Sequence, residues 1–167
     1  MKHVTIGCDS YGYQLKQAVK QHLIERGIAV EDLGVHTAKE TRAYYHVAVE
    51  VASRVSQGPA EGGILVCGTG MGMAIVANKL PGVYAAVCEN RTAAERARSI
   101  NNANVLTLGE FVTPAETAKD IVDAWLTTEF TSGWDAPIQA FLRSSLGDIQ
   151  SIEQRALSTG RKDPEVR

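Results

Sequence analysis

No apolar run in the sequence approaches the roughly 18 residues that span a bilayer, and the first ten residues, MKHVTIGCDS, lead straight into a strand-like pattern rather than a signal peptide. A cytoplasmic protein with no membrane partner is expected. Charge of one sign is lacking as well: 17 Lys and Arg face 19 Asp and Glu, for a formal net charge of −2. Without a basic excess to neutralise a phosphate backbone, nucleic acid is a poor partner. Cysteine is scarce. Cys8, Cys67 and Cys88 form no C-x-x-C pair, so neither a disulfide framework nor a zinc knuckle is expected, and free thiols are the default. What is present is ordinary for a globular chain, with 44% hydrophobic and 22% charged residues among 167, enough for one domain with a sizeable core and too apolar for general disorder.

Short β-rich runs alternate with helical patterns, the signature of βαβ units around a parallel sheet covered on both faces. The strand candidates are Val4–Cys8, Ile28–Val30, Ile64–Cys67, Val83–Cys88 and Val105–Leu108. A helix is expected over about Tyr13 to Arg26, where Leu15, Val19, His22 and Leu23 recur at helical spacing before Gly27. A second covers about Tyr44 to Ser56 and stops at Gly58-Pro59. Thr113-Pro114-Ala115-Glu116 reads as a capping box, with Thr as the cap and Pro at the first helical position; Ile121, Val122, Trp125 and Leu126 supply that helix's buried face. A last helix over Ala136 to Leu157 is expected to lie on a partner or neighbouring subunit, and the final ten residues, STGRKDPEVR, read as a frayed tail. The architecture expected is α/β, a Rossmann-like three-layer αβα sandwich with a five-stranded parallel sheet and a C-terminal helix. Ligands of such folds sit at the carboxyl ends of the strands.

The segment Val66-Cys67-Gly68-Thr69-Gly70-Met71-Gly72-Met73 follows a strand and opens a helix there. Its glycines expose backbone N–H groups to an anion, yet it matches neither G-x-G-x-x-G nor a P-loop ending in G-K-S/T. Cys67, at a strand end before a helix N-terminus, sits where a thiol becomes available as base or nucleophile; Cys8 and Cys88 end their strands without such a loop and read as structural. Asp9, at the end of the first strand, is either a cap for the next helix or an acid facing the same crevice. Asn101, Asn102 and Asn104 either bind sugar hydroxyls or build turns. Among the histidines only His46, beside Tyr44-Tyr45, is placed for a site, and for each of the four, His46 included, a satisfied structural His is the favoured reading.

These residues resemble the family of type B ribose-5-phosphate isomerases and galactose-6-phosphate isomerases. The resemblance covers about residues 3 to 133 and rests on four motifs in order: Gly7-Cys8-Asp9, Cys67-Gly68-Thr69-Gly70-Met71-Gly72, Ala77-Asn78-Lys79-Leu80-Pro81-Gly82 and Asn101-Asn102-Ala103-Asn104-Val105. It implies an isomerase unit over 1–133 with a helical extension and tail over 134–167. It also implies a homodimer or tetramer with active sites at the subunit interface, a small sugar phosphate as substrate, and no metal or organic cofactor. By the resemblance Cys67 is the acid/base of an aldose–ketose isomerisation through a cis-enediolate. Thr69 and the N–H groups of Gly70, Met71, Gly72 and Met73 would stabilise that intermediate. Asp9 would orient substrate hydroxyls, and Ser10, Tyr44, Gly68 and Asn101 would line the pocket.

Several positions depart from the family pattern. Ser10 stands where a His usually follows the Asp, and Ile100 where a His assists ring opening. A hydrophobic residue there resembles the B subunit of galactose-6-phosphate isomerases, which works beside a paralogous partner; tetrose phosphates, unable to close a furanose ring, need no such His. The positions of the phosphate-binding arginines hold Phe111, Trp134 and Ile138, leaving Arg42, Arg91, Arg98 and Arg143 as possible substitutes. The leading expectation is an isomerase of the ribose 5-phosphate/ribulose 5-phosphate type. The alternatives are a galactose-6-phosphate or tetrose-phosphate isomerase, one subunit of a hetero-oligomeric isomerase, and a non-catalytic sugar-phosphate binder. A receiver-type signalling domain shares the architecture but lacks its acids beside Asp9 and its late Lys.

Overall fold

The computed structural model describes residues 1–158. The element order is β1 (His3–Cys8), a 3-10 turn (Ser10–Gly12), α1 (Tyr13–Glu25), β2 (Ala29–Asp32), α2 (Tyr44–Ser56), β3 (Gly62–Cys67), α3 (Met71–Ala77), β4 (Ala85–Val87), α4 (Arg91–Ser99), β5 (Val105–Gly109), α5 (Ala115–Thr127) and α6 (Ala136–Ser158). The five strands are all parallel in the order β2-β1-β3-β5-β4. The chain winds outward in opposite directions from β1 and β3, so the crevice of a doubly wound sheet opens between the carboxyl ends of those two strands.

Two cores cover the sheet. On one face Val4, Ile6, Ile64, Val66, Leu106 and Leu108 meet α1, α4 and α5. On the other Leu65, Cys67 and Val105 meet α2 and α3. Helix α2 buries Val47, Ala48, Val51 and Ala52, a stripe at helical spacing whose closest approach to the sheet requires glycine: a Cβ on Gly7 would lie 2.7 Å from Val47 Cγ1. Trp125 of α5 is fully buried and donates its Nε1–H to Ala103 O at 3.0 Å. Truncating so large a side chain typically costs about 3–5 kcal/mol.

Several boundaries differ from expectation for identifiable reasons. Strand β4 is only Ala85–Val87, because Asn104 Oδ1 accepts the Tyr84 N–H and Asn78 Oδ1 the Ala85 N–H, both at 2.8 Å. Strand β2 starts one residue late, since Ile28 N–H still closes the end of α1 on Leu23 O. The capping box at Thr113 does not form. Pro114, not Thr113, is the N-cap of α5, no side chain caps that helix, and Thr113 Oγ1 is buried without a hydrogen-bond partner.

Helix α6 begins where expected, with Asp135 Oδ1 accepting the Ile138 N–H at 3.0 Å. It buries only Leu142 and leaves Phe141, Ile149, Ile152 and Leu157 exposed. The expected frayed tail lies outside the described residues apart from Ser158, which closes α6. No helix among the described residues is long and apolar enough to cross a membrane.

Candidate active site

Strand β3 is buried along its whole length and delivers Cys67 to the carboxyl edge of the sheet, 6% exposed. The chain then reverses into α3 through Gly70, whose φ of +77° is a left-handed conformation that favours glycine. The Gly70 N–H donates to Cys67 Sγ at 3.1 Å and fixes the sulfur over the turn, so this N–H is already engaged and is not spare for an anion. The other two glycines of the loop are small because aromatic rings lie against them. A Cβ on Gly68 would sit 2.7 Å from Phe111 Cε2, and one on Gly72 would sit 2.9 Å from Tyr44 Cε2. The loop is therefore walled by Phe111 on one side and Tyr44 on the other.

Register places the second acid. Cys8 pairs with Val66 across β1 and β3, which sets Asp9 alongside Cys67. The 3-10 turn that follows lies flat on the end of β3: a Cβ on Gly12 would be 2.5 Å from Val66 O and 2.9 Å from Cys67 N. Asp9 is buried, and its Oδ1 accepts the Tyr11 N–H at 3.0 Å. Burial pushes its carboxyl above the ordinary range. The Tyr11 and Gly12 N–H groups oppose that push and the nearby Glu110 adds to it. Asp9 is thus a cap for the 3-10 turn. Tyr11 reaches from this turn to meet Phe111 edge-to-face, the ring centroids 5.9 Å apart.

Cys8 and Cys88 are buried in the core, and burial pushes their thiols up to about 12 and about 11. Both facts agree with structural roles for these two. Glu110 escaped the sequence reading: its backbone N–H donates to Cys67 O at 2.8 Å while its Oε2 accepts the Leu15 N–H of α1 at 2.9 Å. The contact joins residues 95 apart, so no local pattern announces it.

Asn101 is not brought to Cys67 within one chain. It lines a separate cavity of about 210 Å³ with Ile100 and Phe141, Leu142, Ser145, Leu146 and Ile149 of α6. Asn102 and Asn104 build the turn: Asn102 has φ +50°, and Asn104 Nδ2 donates to Gly82 O. His46 is exposed and stacks on Tyr45, 4.6 Å between centroids. The four candidate arginines make contacts that hold the fold. Arg42 pairs with Glu50 and donates to Leu33 O; Arg91 pairs with Glu95; Arg143 donates to Gln139 and Thr131. Arg98 is spent on the Ala103 and Thr128 carbonyls and on Asn102, and burial lowers its pKa. Trp134, at a position where the resemblance expects a guanidinium, instead carries one on its face: Arg96 lies 4.8 Å from its ring centroid. Among the described residues no group of three His, Cys, Asp or Glu side chains converges to hold a metal ion.

The chain is 39% identical over 157 residues to the 4-deoxy-4-sulfo-D-erythrose isomerase of Clostridium sp. MSTE9, covering 94% of this chain and 99% of that protein. It is 44% identical over 133 residues to the ribose-5-phosphate isomerase B of Escherichia coli K12, covering 80% and 89%. The solved Clostridium thermocellum ribose-5-phosphate isomerase B superposes with a TM-score of 0.83 at 40% identity, covering 92% of this chain and 98% of that one. Residues 4–139 match the Ribose/Galactose Isomerase family, and the chain belongs to it.

Proposed function

We propose that the protein is an aldose–ketose isomerase of a short sugar phosphate and that Cys67 is its acid/base. The observation that carries this reading is the Cys67 sulfur held by the Gly70 N–H at the head of the crevice, beside Asp9. Cys67 removes the proton from the carbon next to the aldose carbonyl, the electron pair forms the enediolate, and the same group returns a proton to the former carbonyl carbon. A hydroxyl proton moves between the two oxygens, so the sugar is rearranged with no net gain or loss of electrons. Thr69 and the N–H groups of Met71, Gly72 and Met73, which open α3 and lack partners within their own helix, face the developing negative oxygen. One such donor is worth about 3–4 kcal/mol elsewhere when removed. Asp9 orients substrate hydroxyls, with Ser10, Gly68 and Tyr44 lining the pocket. The chemistry belongs to residues 1–133. Residues 134–167 follow as an extension whose helix α6 lies on a neighbouring subunit of a homodimer or tetramer, and Asn101 enters the site across that interface.

Ile100 favours a second reading for substrate length. A pentose phosphate must open its ring before C2 can be deprotonated, and Ile100, in an apolar cavity with Leu142 and Leu146, has no proton to lend. A four-carbon sugar with its terminal position occupied by an anion cannot close a furanose and presents its carbonyl directly. That relative's name, a sulfonated erythrose isomerase, agrees with such a substrate.

The test is a screen of four-, five- and six-carbon aldose and ketose phosphates beside their unphosphorylated forms, with the single purified chain. Turnover of a tetrose phosphate above ribose 5-phosphate supports the open-chain reading, and the reverse order removes it. Binding of these sugars without any turnover removes the isomerase reading and leaves a sugar-phosphate binder; activity appearing only on mixing with a paralogous chain means an obligatory partner subunit.

A further inference from the structure

We propose that Glu110 is a positioning residue for this isomerisation, holding the Asp9 turn against the end of the Cys67 strand. The inference rests on the reading of Cys67 as the acid/base. Glu110 touches both sides of the crevice: its backbone N–H is bonded to Cys67 O at 2.8 Å and its carboxylate to the Leu15 N–H at 2.9 Å. The helix it captures has no cap of its own. Its N-cap is Gly12, with no side-chain hydrogen bond, and a side chain there would strike the Val66 carbonyl at 2.5 Å. One open N–H of the first turn, that of Leu15, is therefore served from the residue after β5, where the helix dipole also favours a negative charge.

Only the 3-10 turn separates that helix from Asp9. Its geometry is closed, with the Tyr11 N–H on Asp9 Oδ1 and the Gly12 N–H on Asp9 O at 3.3 Å, so a shift in the start of α1 carries Asp9 with it. The placement also has a cost, since Glu110 is a second acid near a buried carboxylate and adds to the upward push on Asp9. A residue needed only to cap α1 could sit locally and avoid that repulsion. Coming from the residue after Gly109, Glu110 instead ties Asp9 to the carbonyl of Cys67 itself.

The experiment is a double-mutant cycle on the whole protein, with Glu110→Ala and Glu110→Gln in the parent and in an Asp9→Asn background. D-erythrulose 4-phosphate and D-ribose 5-phosphate are the substrates, assayed well below each variant's Tm. Expected for E110A in the parent is a loss of about tenfold in kcat with KM within about threefold, the signature of misplacement rather than lost binding. E110Q, which keeps an acceptor oxygen for the Leu15 N–H, recovers most of the loss. In the D9N background E110A costs less than about twofold, because the group it positions is already disabled. Parental kcat in E110A, an equal loss in both backgrounds, or an E110Q as impaired as E110A each overturns the proposal. If E110A does not fold, Glu110→Asp, one methylene too short to reach Leu15, takes its place with the same expectations. A Cys67→Ala enzyme that still turns over would sink the acid/base reading separately, with the cycle unaffected.

Discussion

Two aspartates close adjacent strands of the sheet and are held in opposite ways. Asp32, the last residue of β2, is gripped by Lys16 Nζ at 2.7 Å and Lys20 Nζ at 2.9 Å. Burial pushes its carboxyl up, but the hydrogen bonds and charges of the two lysines outweigh it and leave the group below its ordinary value. Lys16 is itself fully buried and also donates to Val35 O, so the pair staples the loop after β2 onto α1. Asp9, one strand over, is as well buried and has no lysine. It has backbone N–H groups and a neighbouring acid, and its carboxyl is raised. The difference separates a carboxylate that holds the fold from the one to which the proposed mechanism gives the substrate hydroxyls, since raised or unpaired acids cluster where chemistry is done.

Substitutions at the two ends break that contrast in opposite directions. Lys16→Met leaves Asp32 with the partly exposed Lys20 as its one lysine, beside the more distant His36 and the Gly34 N–H, and should cost about 3 kcal/mol, read by urea denaturation, with kcat of the folded fraction kept. Gly12→Ala forces a Cβ into the Val66 carbonyl and should cost about 2 kcal/mol, and because it lifts the Asp9 turn off β3, kcat falls with it. Asp9→Asn should raise stability at pH 7, where the buried carboxylate is held unfavourably, while lowering turnover about 100-fold.

The pH dependence of folding carries the same contrast. The stability that Asp32 gives is fully present above the ordinary carboxyl value of 3.8 and is lost as pH falls through its lowered folded value. The folded state binds the Asp9 proton more tightly than the unfolded chain does. Its contribution to stability therefore declines as pH rises from 3.8 through the raised folded value. Stability profiles of the parent and D9N, measured by denaturant midpoint across this range, should diverge on the alkaline side of 3.8 and meet below it.

The sequence made legible what is local or periodic. Helix α2 lies over Tyr44–Ser56 and stops before Gly58-Pro59 as expected, and the glycine loop falls between a buried strand and a helix as its motif requires. What could not be read locally is set by distant contacts. Lys16 occupies an apolar-face position of α1 as a buried ion, which helical spacing alone codes as a defect until Asp32 is brought beside it. Thr113 looks like a cap, yet Pro114 takes the N-cap position and Thr113 contributes no cap bond. Glu110 carries no local signal, because its partner lies on α1. Asn101, conversely, is assigned to the pocket only through the resemblance, and a single chain sets it in a cavity under α6.

The central claim, that the Cys67 sulfur moves the proton, is tested most directly by solvent deuterium. In D2O the parent enzyme should incorporate deuterium at the carbon next to the carbonyl as it isomerises substrate, followed by proton NMR. Cys67→Ala, folded to the parental Tm within a few degrees, should lose both isomerisation and incorporation. Unchanged deuterium incorporation by that variant would contradict the account and move the acid/base role to another residue.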